Sequence, residues 1–204
     1  MSPGEPAIEI KGLGRRFKKT WALRGIDLKI RKGELFCVVG PDGSGKTTLI
    51  QSICAILDPT EGKITVKGLD TVRDAPEITS RIGYMSQAYS LYEDLSLDEN
   101  LEFFAKIRKI PEDVFIERKA RLLEFSGLAP FLKRRTRHLS GGMQKKLALC
   151  CNLIHEPDIL ILDEPTIGVD PLSRRHLWRM LEDYHSLGKT IVFTTSYMEE
   201  AKKS

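Results

Sequence analysis

A continuous apolar run, Leu35 to Val39, passes without a break into Gly40-Pro41-Asp42-Gly43-Ser44-Gly45-Lys46-Thr47 and then into a helical stretch. Strand, glycine-rich loop and helix in that order make a cradle for phosphate. The glycines let main-chain amides approach phosphate oxygens without Cβ clashes, and the helix N-terminus adds positive field. In the G-x-x-x-x-G-K-[ST] pattern the Lys46 ammonium reaches the terminal phosphates and the Thr47 hydroxyl faces Mg²⁺. A plain turn between strand and helix needs no Lys-Thr after its last glycine.

Composition bounds the rest. The 204 residues make one domain with room for an inserted lobe, and 41% hydrophobic against 29% charged residues excludes disorder. The longest apolar runs, Leu35 to Val39 and Ile159 to Leu162, fall well short of the ~18 residues that cross a bilayer. Met1-Ser2-Pro3-Gly4-Glu5 lacks a basic region followed by an apolar one, so a cytosolic location is expected. Cys37, Cys54 and the Cys150-Cys151 pair have neither metal nor disulfide spacing, which predicts reduced core residues. A net charge of +4, with short basic runs such as Lys133-Arg134-Arg135 and no interleaved aromatics, argues against a nucleic-acid partner.

Periodicity supplies the order of elements. Ala7 to Lys11 and Ile26 to Ile30 alternate as half-buried strands, giving an antiparallel opening. A helix is expected over Lys46 to Ile56, with strands over Lys63 to Lys67 and Arg81 to Met85. From about Ser96 to Ile154 the pattern turns helical, with Leu97, Leu101, Phe104 and Ile107 on one face and Val114, Phe115, Leu122 and Phe125 on the next segment. Strand Ile159 to Leu162, a helix from about Leu172 to Ser186, strand Thr190 to Thr195 and a helix starting at Met198 and running to Lys203 close the chain. The predicted fold is α/β, with a mostly parallel core sheet, an N-terminal antiparallel β subdomain and an inserted helical lobe. Core and β subdomain take about 1–86 and 155–204, and the lobe about 88–154.

Ile159-Leu160-Ile161-Leu162 runs directly into Asp163-Glu164-Pro165. Successive side chains at a strand end point opposite ways, so Asp163 turns toward a metal while Glu164 addresses an attacking water.

Between the two elements stands Leu139-Ser140-Gly141-Gly142-Met143-Gln144. Ser140 supplies a helix cap, and Gly141 and Gly142 leave the first amides bare, an arrangement that favours an anion. With this segment the chain resembles the ATP-binding cassette (ABC) family over essentially its whole length, in the order phosphate loop, Gln87, signature, Asp163-Glu164 and the loop through Asp170. The resemblance implies a P-loop NTPase of the ABC ATPase type, MgATP as ligand, and a head-to-tail dimer in which the signature of one domain faces the terminal phosphate held by the other. It also implies that Gln87 touches Mg²⁺ and water and relays motion to a membrane permease, and that Phe17 stacks on adenine, with Trp21 as rival. Asp170 matches the acid that crosses the dimer interface, while capping the helix at Pro171 is the plainer role and is compatible with it. The nucleotide set is then Phe17, Gly40 through Gly45, Lys46, Thr47, Thr48, Ser140, Gly141 and Gly142. The metal set is Thr47, Gln87 and Asp163, and the catalytic set is Glu164, Gln87 and Ser196.

Ser196 is a departure. In Thr194-Thr195-Ser196-Tyr197 it stands where the family has a histidine on the terminal phosphate, and a serine offers one hydrogen bond and no positive charge. Slow hydrolysis is therefore expected, with Glu164 arguing against complete inactivity. Asp42 replaces the usual asparagine and adds negative charge beside a polyphosphate unless it points away. Met143 and the Gly83-Tyr84-Met85-Ser86-Gln87 segment are similar to exporters of the ABC-2 type. Pro41-Asp42 with Thr195-Ser196-Tyr197 resembles the first ATP-binding domain of tandem subunits, and the family pattern continues past the Ser196 loop, so further chain is expected.

The function expected is ATP binding and hydrolysis driving export through a separate permease, on the cytoplasmic face of the membrane. The alternative is a regulatory ATP-binding module that completes a partner's site and hydrolyses slowly itself. A soluble ABC ATPase of translation or repair would carry long arms or basic insertions that this chain lacks.

Overall fold

The computed structural model describes residues 6–88 and 90–202, so the readings at Met1 to Glu5 and Lys203 lie outside the described residues. Two sheets form. Strands β1 (Pro6–Phe17), β2 (Thr20–Arg31), β4 (Glu61–Val66) and β5 (Leu69–Asp70) make an antiparallel sheet in the order β2-β1-β4-β5. Strands β3 (Leu35–Val39), β6 (Ile82–Met85), β7 (Ile159–Leu162) and β8 (Thr190–Thr195) make the second, in the order β3-β8-β7-β6. Every pair in that sheet is parallel, with Leu35 opposite Ile191, Ile159 opposite Thr190 and Ile82 opposite Ile159.

The parallel strands β7 and β8 are buried on both faces, which is why β7 is apolar throughout and β8 carries Ile191, Val192 and Phe193 in succession. Their alternation divides them between two cores. Leu160, Leu162, Ile191 and Phe193 face the helical layer, whereas Ile159, Ile161 and Val192 face the antiparallel sheet and α1 (Lys46–Ile53). The helical layer holds α3 (Leu97–Ile107), α4 (Glu112–Ser126), α5 (Gly141–Leu153) and α6 (Pro171–Ser186). Helix α2 (Ala75–Arg81) precedes β6, and α7 (Met198–Ala201) follows β8.

Ser96 starts α3 with a reciprocal cap: the Glu99 N–H donates to Ser96 Oγ at 3.2 Å and the Ser96 N–H to Glu99 Oε2 at 2.7 Å. Asn100, fully buried, then donates to Tyr92 O and Thr136 Oγ1, at 3.0 and 2.9 Å. Gln144 Nε2 donates to Thr136 O at 2.9 Å, so the segment after Gln87 and the start of α5 are tied through two amide side chains and one threonine.

Several boundaries differ from those expected. β1 and β2 are longer because register shifts at Ile10/Leu13 and Leu13/Arg15 break the period of two. Helix α1 ends at Ile53, not Ile56, since Ala55 adopts φ 57° and Ile56 is exposed. Ile107 is 59% exposed and leaves the apolar face of Leu97 and Leu101. Cys37 is half-buried, its thiol pushed up to about 11 chiefly by desolvation, while Cys54, Cys150 and Cys151 are buried; all four are free. Arg81 ends α2 instead of starting β6. That helix escapes periodicity because it is short and buries Ile78 alone.

Candidate functional site

The four parallel strands end side by side, and each hands over to a polar residue. β3 leads into the Gly40 loop, β6 into Gln87, β7 into Asp163 and Glu164, and β8 into Ser196. This is the edge of a parallel sheet at which ligands bind.

Gly45 caps α1 at φ 94°, and a Cβ there would lie 2.7 Å from Ala22 O, so only glycine brings the loop this close to β2. Lys46 is buried to 7% exposure, and its Nζ donates to Gly40 O at 2.7 Å and Pro41 O at 3.1 Å, curling the loop around the ammonium. The same Nζ lies 3.1 Å from Glu164 Oε1 and 3.4 Å from Ser196 Oγ.

Asp163 and Glu164 face different ways. Asp163 Oδ1 accepts from Thr194 Oγ1 at 2.7 Å, and Thr194 Oγ1 in turn accepts from the Glu164 N–H at 2.9 Å, so the neighbouring strand sets both residues. Glu164 is held at φ 49°, a left-handed conformation that costs energy away from glycine and clusters at working sites. Its carboxylate turns to Lys46 and Ser196: the Ser196 N–H donates to Oε2 at 3.2 Å and the Ser196 hydroxyl to Oε1 at 2.8 Å. Beneath them, Lys145 Nζ donates to the Glu164 carbonyl at 3.4 Å. Burial pushes that lysine down to about 8, with the Asp163 and Glu164 charges opposing the shift.

A cavity of about 290 Å³ opens over these groups, lined by Asp42, Gly43, Gly45, Lys46, Thr47, Thr48, Gln87 and Glu164 together with Ala22. Asp163 Oδ2 is buried and has no hydrogen-bond partner, an orphan oxygen that costs free energy unless something meets it. Asp163 does not line the cavity, whereas Thr47 and Gln87 do; the carboxylate, hydroxyl and amide oxygens of the three are hard donors of the kind that suits Mg²⁺.

Other predicted residues lie elsewhere. Ser140, Gly141 and Gly142 do not line this cavity. Ser140 Oγ accepts from the Met143 N–H at 3.3 Å as the cap of α5. The two glycines differ in what a side chain there would meet. A Cβ on Gly141 meets nothing within 4 Å, but one on Gly142 would lie 2.2 Å from Ser173 Oγ and 2.4 Å from Ser173 Cβ, so Gly142 lets α6 approach α5. Asp170 caps α6, its Oδ1 accepting from the Ser173 N–H at 2.9 Å, and the Ser173 hydroxyl, with that N–H second, holds its carboxyl below the usual range. Phe17 is 44% exposed with the Arg15 guanidinium 4.8 Å above its ring, whereas Trp21 is half-buried and flanked by Arg16 and Arg24. No histidine lines the cavity: His155 bonds Ile82 O and His185 bonds Gly33 O.

Sequence reasoning passed over Glu200. It is buried, accepts from Thr166 Oγ1 at 2.5 Å and from Thr195 Oγ1 at 2.7 Å, and so braces the segment after Glu164 against the one before Ser196. An acid in a short helix beside another glutamate carries no signal of burial, and only the fold reveals it.

Comparison with known proteins agrees with this geometry. The family described as ABC transporter matches residues 23–167. The chain is 42% identical over 201 residues to the probable multidrug ABC transporter ATP-binding protein YbhF of Escherichia coli strain K12, covering 98% of this chain and 35% of that protein. It is 39% identical over 197 residues to the daunorubicin resistance ATP-binding protein DrrA3 of Streptomyces coeruleorubidus, covering 97% and 62%. The chain thus spans between about a third and just under two thirds of these relatives. Among solved structures, an ATP-binding subunit of an ABC transporter superposes with a TM-score of 0.87 at 27% identity, covering 97% of this chain and 82% of that one. A dimeric ATP-binding cassette, MJ0796, in a post-hydrolysis state bound to ADP and Pi gives 0.86 at 27% identity, covering 96% and 90%.

Proposed function

The chain belongs to the ABC transporter family, and from that premise we propose that it binds and hydrolyses ATP to drive export through a separate membrane permease. The observation that carries this reading is the convergence of Lys46, Gln87, Asp163, Glu164 and Ser196 at the ends of four adjacent parallel strands.

In this reading the amides of the Gly40 to Lys46 loop and the Lys46 ammonium hold the phosphates, and Thr47, Gln87 and Asp163 would hold Mg²⁺. When bound, the ion neutralises charge on the phosphate oxygens. Glu164 orients a water for attack on the terminal phosphorus; as the new P–O bond forms, the bond to the ADP oxygen breaks and the water proton passes to the carboxylate. Ser196 fixes both oxygens of that carboxylate. Lys46 engages Glu164 in the same network, so phosphate and carboxylate share one ammonium.

Ser140 to Gly142 stand apart from the cavity of their own chain, and they serve the site of a second ATP-binding domain packed head to tail. The exposed Tyr92, on the segment after Gln87, belongs to the face offered to the permease on the cytoplasmic side. No described helix is long and apolar enough to cross a membrane. The names of the relatives support a drug-like cargo, while Met143 and the Gly83 to Gln87 segment support the ABC-2 exporter class. Pro41-Asp42 and Thr195-Ser196-Tyr197 support placement as the first of two tandem ATP-binding domains.

Ser196 favours a second reading, a module that closes on ATP and completes its partner's site while turning over slowly itself. MgATP turnover across a protein concentration series, with fluorescent-nucleotide binding measured in parallel, tests both for the native chain, Ser196→His and Glu164→Gln. Turnover that rises with concentration and is lost in Glu164→Gln supports the ATPase. Tight binding with a rate that climbs about 10²-fold only in Ser196→His supports the regulatory module. Absence of nucleotide binding by the native chain overturns both.

A further inference from the structure

Asp42 is exposed over 90% of its side chain, yet its Oδ1 lies 3.1 Å from Ser196 Oγ and 3.9 Å from Lys46 Nζ. Two residues at which the chain departs from its family's pattern, one in the phosphate loop and one after β8, are therefore in contact across 154 positions of sequence. The Ser196 hydroxyl has one proton and sits between two carboxylates, Glu164 Oε1 at 2.8 Å and Asp42 Oδ1 at 3.1 Å, so it satisfies only one of them at a time. Lys46 has three protons for the four acceptors already around it, Gly40 O, Pro41 O, Glu164 Oε1 and Ser196 Oγ. A terminal phosphate entering the loop seeks the same ammonium and the same hydroxyl. Asp42 is an anion of the protein's own, positioned against the groups that a phosphate must capture.

We propose that Asp42 is a specificity-determining residue: by competing with the terminal phosphate for Ser196 and Lys46, it sets how strongly the site prefers a nucleoside triphosphate to a diphosphate. The inference rests on the nucleotide reading above. A diphosphate ends one phosphoryl group short of the Glu164 and Ser196 end of the cavity, so it draws on Lys46 but not on Ser196, and it brings less negative charge up to Asp42. Removing the Asp42 charge therefore helps the triphosphate more. Asparagine at this position keeps the size and an oxygen acceptor for Ser196 and removes only the charge.

The test is the affinity of the full chain for fluorescent analogues of ATP and ADP, each with Mg²⁺ at fixed salt, for the native protein, Asp42→Asn, Ser196→Ala and the double variant. Asp42→Asn is expected to tighten MgATP roughly fivefold, the change that a unit charge at about 4 Å produces in a water-like medium, and MgADP by no more than about twofold. In the Ser196→Ala background the extra gain for MgATP is expected to shrink to that for MgADP, because the two residues act as a pair. Equal gains for both nucleotides, no gain for either, or an effect of Asp42→Asn on MgATP that Ser196→Ala leaves unchanged would each overturn the proposal while leaving the nucleotide site standing. A native chain that binds neither nucleotide would remove the site reading itself, and this proposal with it. Matched thermal unfolding of the four proteins shows that the comparison is made between folded chains.

Discussion

Ser196 grips Glu164 at both carboxylate oxygens, through its main-chain N–H at 3.2 Å and its hydroxyl at 2.8 Å. The hydroxyl half of that grip is removable without touching the backbone. Ser196→Ala is expected to lower kcat for MgATP about tenfold or more, in line with the ~1.5–3 kcal/mol of a hydrogen bond to a charged group, while nucleotide affinity changes by less than about threefold. Single-turnover and binding measurements on the same preparation separate the two. An unchanged kcat would mean that the main-chain N–H and Lys46 alone hold Glu164.

Gly141 and Gly142 are expected to respond in opposite ways to the same methyl group. Gly142→Ala places a Cβ against Ser173 and should cost roughly 1–3 kcal/mol of stability in urea unfolding, as overpacked cores do. Gly141→Ala opens onto free space and should leave stability level or raise it by up to about 1 kcal/mol through helix propensity. Ser173→Gly, by removing the Cβ that lies 2.4 Å from the added one, should recover most of the loss at Gly142.

His155 gives the fold an acid limit. Its Nε2–H donates to Ile82 O at 3.0 Å, which leaves Nδ1 buried without a partner, and desolvation followed by the nearby Arg108 guanidinium, with Arg118 beyond, holds it down to about 4. The folded value lies below the unfolded one, so between about pH 6.5 and 4 the unfolded chain binds more protons and stability falls as pH falls, by an amount on the order of 3 kcal/mol at the low end. Urea midpoints at pH 7.0 and 4.5 for the native chain and His155→Gln check this. The glutamine variant, with nothing to protonate there, should lose distinctly less over the interval.

Glu200 is expected to matter more as an acceptor than as bulk. Glu200→Ala strands the Thr166 and Thr195 hydroxyls in the interior and should cost about 2–4 kcal/mol. Glu200→Gln keeps one oxygen acceptor and should cost clearly less. Thermal unfolding of the two variants, read beside ATP turnover, shows whether bracing the loops after β7 and β8 also serves the rate.

What was legible in the sequence follows the physics of each element. β7, buried on both faces, and the half-buried β3 appear as unbroken apolar runs, β8 carries an apolar Ile191-Val192-Phe193 centre, and the structure has all three at the expected residues. β1 and β2 were seen only in part because bulges disturb the alternation that marks a half-buried strand. The phosphate loop declares itself because its glycines, lysine and threonine are contiguous. The contacts that finish the site are not contiguous: Thr194 under Asp163, Ser196 against both Glu164 and Asp42, and Ser173 against Gly142 arise between segments distant in sequence, and no local pattern encodes them.

The strand order β3-β8-β7-β6 has a consequence for how this protein is born. β3, which carries the phosphate loop, is an edge strand whose sheet partner is β8, and β8 is the last strand of the described chain. A nascent polypeptide emerging from the ribosome therefore holds its Lys46 loop on an unpaired strand until residues 190–195 arrive and slide between β3 and β7. Closure over so many residues makes the docking of β8 a late folding event. The residues that complete the sheet also deliver Ser196 and Thr194 to the carboxylates, so the contacts of the site form only once β8 has docked.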